Sequence, residues 1–296
     1  YVMSSIIGIE GLEPTLEIIK YTKKIAIANK ESIICGWELL HSQLKKNNTE
    51  FIPVDSEHFS LWYGLQNINK KNIERVYLTA SGGPFFNLPL KKFNTIDIKK
   101  ALHHPNWKMG KKISIDSATM INKVYEVIEA KNIFQIPYKK INIVIHPNSY
   151  AHCLVKFNNG LSKIIFHDTT MKIPIFNTLY FNTDKKFLSN NFDFNKLNDL
   201  NFSKVDYKKY PIVKILNFIN EKHSLFETVI VSANDTLVRA FLDQKIKFID
   251  INKKLLKIVR QREFLKYKKI SPKNVRDIVE LNNYVRSKIQ KKVYKT

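Results

Sequence analysis

Three short β-branched runs each stop at a compact polar cluster, and this repeat limits the fold more than any other feature of the chain. Lys23–Ala28 (KKIAIA) runs into Asn29-Lys30-Glu31-Ser32, Phe51–Val54 into Asp55-Ser56-Glu57-His58, and Ile73–Thr79 into Ser81-Gly82-Gly83-Pro84. Such runs read as buried strands. Helical patterns at Leu12–Tyr21, Ile33–Leu44 and Ser117–Phe134 interleave with them or follow them. Alternating strand and helix marks an α/β fold. In such folds ligands bind in the crevice beyond the strand C-termini, which is where all three polar clusters lie. Ile141–His146 and Gly160–His167 add two further strand patterns, and Thr183–Tyr210, rich in Asn, Asp and Lys, reads as a linker. From Val213 onward the pattern is helical, so a separate all-α domain is expected there.

Composition bears on partners. The chain has 49 Lys+Arg against 26 Asp+Glu, a formal charge of +23, and a pI near 9.8. A basic balance admits nucleic acid as a partner. Here the lysines are scattered beside Asn and Ile (KKNN, INKKN, NNFDFNKLNDLNF), as an AT-rich coding sequence produces, and no helix carries a one-sided basic stripe. The charge therefore reads as codon bias, with a basic nucleic-acid-binding protein as the lesser alternative; the basic C-terminal end reads as a solvated helix face. No run of 18 apolar residues occurs, so no membrane-spanning helix is expected. Two cysteines, Cys35 and Cys153, make no disulfide framework and suit a reducing compartment. The opening residues, YVMSSIIGIEGLEPTLEIIKY, have neither a basic stretch nor a small-residue cleavage site, and read as the interior of a domain rather than a secretory signal.

Asp55 and Glu57 are the first candidates for chemistry. At an extended strand end residues i and i+2 point to the same side, so two such carboxylates repel unless a cation joins them. An all-oxygen set suits Mg²⁺ or Mn²⁺; a solvated Asp-x-Glu is the commoner case. The stretch from Ser117 to Ala130 adds weight. At about 100° per residue, Thr119, Asn122, Lys123, Glu126 and Glu129 gather on one face, with Met120, Ile121, Val124, Val127 and Ile128 opposite. Asp116, Ser117 and Thr119 would stand at the start of this helix, where free N–H groups favour an anion such as phosphate. Asn122 and Lys123 would complete the grip one turn along, and Glu126 would supply a third carboxylate. A plain amphipathic helix shows the same wheel. Ser81-Gly82-Gly83-Pro84 reads as a hinge into Phe85–Gly110, a segment of lid length. That segment ends in HHPNWKMGKK, whose Trp107 either covers a ligand or plugs a core edge.

Together these pieces are more specific than any one of them. ANKES (Ala28–Ser32), PVDSEH (Pro53–His58), SGGPF (Ser81–Phe85), HPNWKMGKKISIDSAT (His104–Thr119), NK..E..EA (Asn122–Ala130) and IHPNS (Ile145–Ser149) occur in this order. From about residue 7 to the end the chain resembles the 1-deoxy-D-xylulose 5-phosphate reductoisomerase family, with VSANDTLVRAFL and KIKFIDI weaker but in register.

The resemblance implies metal-dependent isomerisation and NADPH reduction of 1-deoxy-D-xylulose 5-phosphate to 2-C-methyl-D-erythritol 4-phosphate, in non-mevalonate isoprenoid biosynthesis. The rearrangement would run by retro-aldol cleavage and re-addition before hydride transfer. The resemblance implies Asp55, Glu57 and Glu126 as ligands of Mg²⁺ or Mn²⁺. Lys30, Ser56 and Glu57 would meet the substrate's hydroxyl and keto oxygens. Ser81, His104, Ser117, Asn122, Lys123 and Glu126 would also bind it, its phosphate mainly on Ser81, Ser117, Asn122 and Lys123. Lys30, Glu57 and His104 would be catalytic, Asn29, Glu31 and Gly110 would touch NADPH, and Trp107 and Met109 would belong to the lid. The implied organisation is the last part of a Rossmann-type NADPH domain (1–54), a central α/β catalytic domain (55–182, lid about 84–110), a linker (183–212) and a helical C-terminal domain (213–296). The family's glycine-rich cofactor turn has no counterpart before Lys30, so most of the NADPH domain is expected to be missing from this sequence. A truncated, non-redox chain that keeps the metal and phosphosugar site is the main alternative. Ala80, Val124 and the HDTTMKIPI stretch (His167–Ile175) depart from the family pattern. A homodimer in a bacterial cytoplasm or a plastid is implied, with no nucleic acid and no membrane.

Overall fold

The computed structural model describes residues 1–294. The first layer is a parallel three-stranded sheet, β1 (Val2–Ser4), β2 (Lys24–Ile27) and β3 (Glu50–Pro53), joined through α1 (Leu12–Ile19) and α2 (Lys30–Lys46). Asn29 caps α2, its side-chain oxygen accepting from Ser32 N at 2.8 Å. Gly36 lets this helix bend over α1: a Cβ there would come within 2.5 Å of Leu12 Cδ1. Helix α3 (Ser56–Gly64) follows β3 directly.

The second sheet has the order β7-β6-β4-β5-β8. Strands β4 (Ile73–Ala80) and β5 (Ile141–Ile145) run parallel, and β6 (Ala151–Phe157), β7 (Ser162–Phe166) and β8 (Ser203–Lys204) are antiparallel to their neighbours. Between β4 and β5 lie α4 (Ile98–Leu102), α5 (Lys111–Thr119) and α6 (Ile121–Phe134); α7 (Lys172–Tyr180) and α8 (Phe194–Asn198) follow β7. Helices α9 (Phe226–Leu242), α10 (Phe248–Ile258), α11 (Arg262–Leu265) and α12 (Val275–Val293) complete the described chain. One continuous apolar core runs from Leu12 and Ile25 through Tyr125 to Phe226 and Val285, and a second fills the space between the larger sheet and its helices around Leu78, Val127 and Val155.

Three local expectations change. The helix expected over Ser117–Phe134 is two helices, broken at Met120, whose φ of 72° is left-handed. Such a conformation costs a non-glycine residue about 1–2 kcal/mol, and Met120 is held in it while buried in the core. Asp55 and Glu57 do not sit on an extended strand end: Asp55 is the N-cap of α3 and Glu57 lies in its first turn. The segment Phe85–Gly110 contains α4 and a 3₁₀ stretch at Leu90–Thr95. Strand β6 adds a strand to those the sequence suggests, with Ala151, Cys153, Val155 and Phe157 alternating along its buried face.

Glu227, in the first turn of α9, is buried and accepts from Ser224 N at 3.2 Å and Ser224 Oγ at 2.8 Å. Burial raises its carboxyl to about 7, and the Ser224 bonds and Lys131 offset this only in part. The folded chain therefore keeps a proton that the unfolded chain loses near 4.5. Because the native state binds more protons, stability falls as pH rises through this window, by about 3 kcal/mol. Glu227→Gln is expected to remove that loss. The check is the urea midpoint of variant and parent: their difference should grow between about pH 5 and about pH 8, and a constant difference would count against the assignment.

Candidate active site

The three polar clusters converge. A cavity of about 260 Å³ is lined by Lys30, Asp55, Ser56, Glu57, Ser81, His104, Trp107, Met109, Ser117, Asn122, Lys123 and Glu126. Each comes from a strand end or from the helix or loop that follows. Lys30 opens α2 after β2, Asp55 to Glu57 follow β3, and Ser81 follows β4. Asn122, Lys123 and Glu126 lie in the first two turns of α6.

Side-chain oxygens of Asp55, Glu57 and Glu126 lie within 4.8 Å of one another. Two ammonium groups thread between them. Lys30 Nζ is 3.1 Å from Asp55 Oδ2 and 3.8 Å from Glu126 Oε1, and donates to Asn122 Oδ1 at 2.6 Å. Lys123 Nζ donates to Glu57 Oε1 at 2.7 Å and also bonds Glu126. Burial works against charge on both lysines, but Asp55 and Glu126 around Lys30, and Glu126 and Glu57 around Lys123, raise both above the ordinary range. Burial alone would raise Asp55; Lys30, His58 and Lys123 hold it well below the usual carboxylate range. Burial and then Glu57 raise Glu126. Three carboxylates opening onto one cavity fit a hard divalent cation. A second group, Asp55, His58 and Glu129, shares Asp55. His58 and Glu129 do not line the cavity, and His58 Nε2 is within 2.8 Å of the Glu126 backbone oxygen. That group supports the first from behind.

The lid contributes further lining, with His104, Trp107 and Met109. His104 Nδ1 accepts from Asn106 N at 3.2 Å and Trp107 N at 3.1 Å, and Nε2 lies 3.1 Å from Ser81 Oγ. Burial, then His103, lowers His104 to about 4, so the ring is neutral at physiological pH. Trp107 meets the ring of His152 edge-on at 6.4 Å, and His152 stacks on His167 at 3.8 Å.

Some sequence-based expectations are placed differently. Asp116, Ser117 and Thr119 are not at a helix start. They lie late in α5, with Asp116 Oδ1 accepting from Asn234 Nδ2 at 2.8 Å and Oδ2 2.9 Å from Lys112. Three helices begin at the cavity: α2 with Lys30, α3 with Asp55 to Glu57, and α6, which presents Asn122 and Lys123. Asn29, Glu31 and Gly110 do not line the cavity. Asn29 donates to Ile6 O and to Gly8 O at 2.7 Å, so its amide cinches the loop after β1. Glu31 accepts from Lys112 at 2.7 Å, and Gly110 is the N-cap of α5. Ser149, His152 and Met171 also line the cavity. Ser149 lies in the IHPNS motif and Met171 in HDTTMKIPI, but His152 could be found only through β6.

The comparisons with known proteins agree with one another. Three family models match, described as 1-deoxy-D-xylulose 5-phosphate reductoisomerase (residues 1–36), 1-deoxy-D-xylulose 5-phosphate reductoisomerase C-terminal domain (51–134) and DXP reductoisomerase C-terminal domain (167–288). A Pelagibacter ubique 1-deoxy-D-xylulose 5-phosphate reductoisomerase is 61% identical over 289 residues, covering 98% of this chain and 74% of the relative. A Sulfurihydrogenibium enzyme of the same name is 44% identical, covering 89% and 69%. The Zymomonas mobilis reductoisomerase in complex with NADPH superposes with a TM-score of 0.84 at 34% identity, covering 96% of this chain and 73% of that one. A DOX-P reductoisomerase in complex with NADPH, fosmidomycin and magnesium superposes at 0.90 with 30% identity, covering 99% and 75%.

Proposed function

The chain belongs to the 1-deoxy-D-xylulose 5-phosphate reductoisomerase family, and on that premise we propose how its cavity converts 1-deoxy-D-xylulose 5-phosphate to 2-C-methyl-D-erythritol 4-phosphate with NADPH. The observation that carries the reading is a single cavity in which a three-carboxylate oxygen cluster borders a wall of Ser81, Ser117 and Lys123. When bound, a divalent cation supplies Lewis acidity to the substrate's keto and hydroxyl oxygens, and NADPH supplies the hydride.

Asp55, Glu57 and Glu126 hold the cation. Lys30, kept charged by Asp55 and Glu126, donates to substrate oxygen as negative charge develops there, and Ser56 orients the same oxygens. Lys123 with Ser81, Ser117 and Asn122 takes the phosphate through charge-assisted bonds. Trp107 and Met109 cover the cavity and exclude water. Glu31 and Gly110 border the cofactor, and Asn29 shapes that border, because its amide is committed to Ile6, Gly8 and Ser32.

A homodimer accounts for the open edge of the larger sheet. Ile164 on β7 and Leu161 just before it are exposed, and an open apolar edge favours pairing with a second copy. The relatives named above are bacterial, and we place this chain in a bacterial cytoplasm. Among the described residues no helix is long and apolar enough to cross a membrane.

The chain spans about three quarters of the length of the relatives it matches, so the direct test joins it to a complete NADPH-binding domain and supplies 1-deoxy-D-xylulose 5-phosphate, Mg²⁺ and NADPH. NADPH oxidation is expected, abolished by EDTA and restored by Mg²⁺ or Mn²⁺. Oxidation that survives EDTA would overturn the cation's role. Absence of both turnover and metal-dependent phosphosugar binding would overturn the reading as a whole.

A further inference from the structure

We infer that Tyr210 is a positioning residue for the substrate's anionic end: through the Gly82–Gly83 peptide, its hydroxyl sets Ser81 as a pure hydrogen-bond donor to the ligand. The inference rests on the reading of Ser81 given above and deepens it.

Tyr210 is 2% exposed, and its hydroxyl donates to Gly82 O at 2.7 Å across 128 residues of sequence. In a trans peptide the C=O and the following N–H point in opposite directions, so this bond aims the Gly83 N–H. That N–H donates to Ser81 Oγ at 3.1 Å. From the other side His104 Nε2 lies 3.1 Å from the same oxygen. Because His104 Nδ1 already accepts two backbone N–H groups, the neutral ring carries its proton on Nε2 and donates it to Ser81. A serine oxygen has two lone pairs, and here both are used. Its one hydrogen remains for an acceptor in the cavity that Ser81 lines, which an ionised phosphate provides.

The Gly82–Gly83 peptide needs such an anchor. Both residues are left-handed, with φ of 82° and 68°, and glycine holds such angles with little preference of its own. Gly83 is pressed against α5, where a Cβ would come within 3.0 Å of Ser117 O and 3.2 Å of Ala118 Cα. The rotation of the peptide plane is the freedom left, and the Tyr210 hydroxyl removes it. The anchor is itself fixed. Asp206 Oδ1 accepts from Lys208 N and Lys209 N at 2.8 and 3.2 Å, and Asp206 O accepts from Tyr210 N at 2.8 Å. Lys209 Nζ donates to Phe86 O at 2.6 Å, on the far side of the glycine pair.

A double-mutant cycle with Tyr210→Phe and Ser81→Ala tests this on the full chain. It reads 1-deoxy-D-xylulose 5-phosphate binding by calorimetry with Mg²⁺ present, and KM and kcat in parallel. Tyr210→Phe keeps the ring and removes the hydroxyl. It is expected to raise KM for the phosphosugar about tenfold, with kcat within about threefold and KM for NADPH unchanged. Ser81→Ala should raise it at least as much, and the double variant should match Ser81→Ala alone, because Tyr210 acts through Ser81. Effects that multiply in the double variant would overturn the inference. So would a Tyr210→Phe variant that loses thermal stability while its KM stays unchanged. If Ser81→Ala leaves phosphosugar binding intact, the assignment of Ser81 falls and the inference with it.

Discussion

Glu126→Gln is expected to lower turnover about a hundredfold or more and to weaken Mg²⁺ or Mn²⁺ binding at least tenfold, with the fold intact. Glu126 is 1% exposed, and its carboxyl shares the cavity with those of Asp55 and Glu57. Changes to groups that merely support metal ligands cost about 10–100-fold in affinity or activity, so loss of a charged ligand should cost no less. Stability should not fall in parallel. Glutamine fills the same volume, and its carbonyl can still accept from one of the two donors, Asn122 and Lys123, that Glu126 meets with separate oxygens, while its NH2 faces the other. It also removes the like-charge pressure from Glu57 that, with burial, raises this carboxyl. Calorimetric titration with Mg²⁺, beside rates at limiting and saturating metal, makes the check; an unchanged rate at limiting metal would remove Glu126 from the cation's ligands.

Lys123→Met should act on the substrate side with comparable force. The Lys123 ammonium is buried, donates to Glu57 at 2.7 Å and bonds Glu126. Methionine keeps most of the stem's volume and deletes the charge. Charge-assisted bonds contribute about 1.5–3 kcal/mol each, and the phosphate would take more than one from this group, so KM for the phosphosugar is expected to rise about a hundredfold or more. The same change leaves the buried Glu126 and the partly buried Glu57 short of a partner, and breaking a buried pair costs about 3–5 kcal/mol. The variant should therefore also unfold at lower urea. A KM within about threefold of the parent would take Lys123 out of the phosphate grip, whatever the stability.

Both changes fall on residues that the sequence made legible. Glu126 and Lys123 were legible because their chemistry sits in one run: with Asn122 they fall on one helical face, and the wheel survives although the helix begins at Ile121 rather than Ser117. The carboxylates of Asp55 and Glu57 were legible as a pair by type and spacing, but for the wrong geometric reason. A cap and first helical turn bring them to the cavity, not an extended strand. Asp116 was misread because its place in a helix depends on the break at Met120, and no glycine or proline marks that break. His152 was missed because β6 was missed.

The sequence by itself determined the layer architecture, the convergence of strand-end clusters and the residue types of the site. Each depends on periodicity or on residues close together in the chain, where backbone geometry has few options. Only the tertiary structure decided the rest. Burial of Met120 in the core pays for a left-handed residue that local preference disfavours. Backbone donors from the lid fix the proton on His104, and Tyr210, 128 residues from Gly82, turns the peptide that completes Ser81. Contacts of that range leave no mark on local pattern, because either partner would look the same in the sequence if the other were absent.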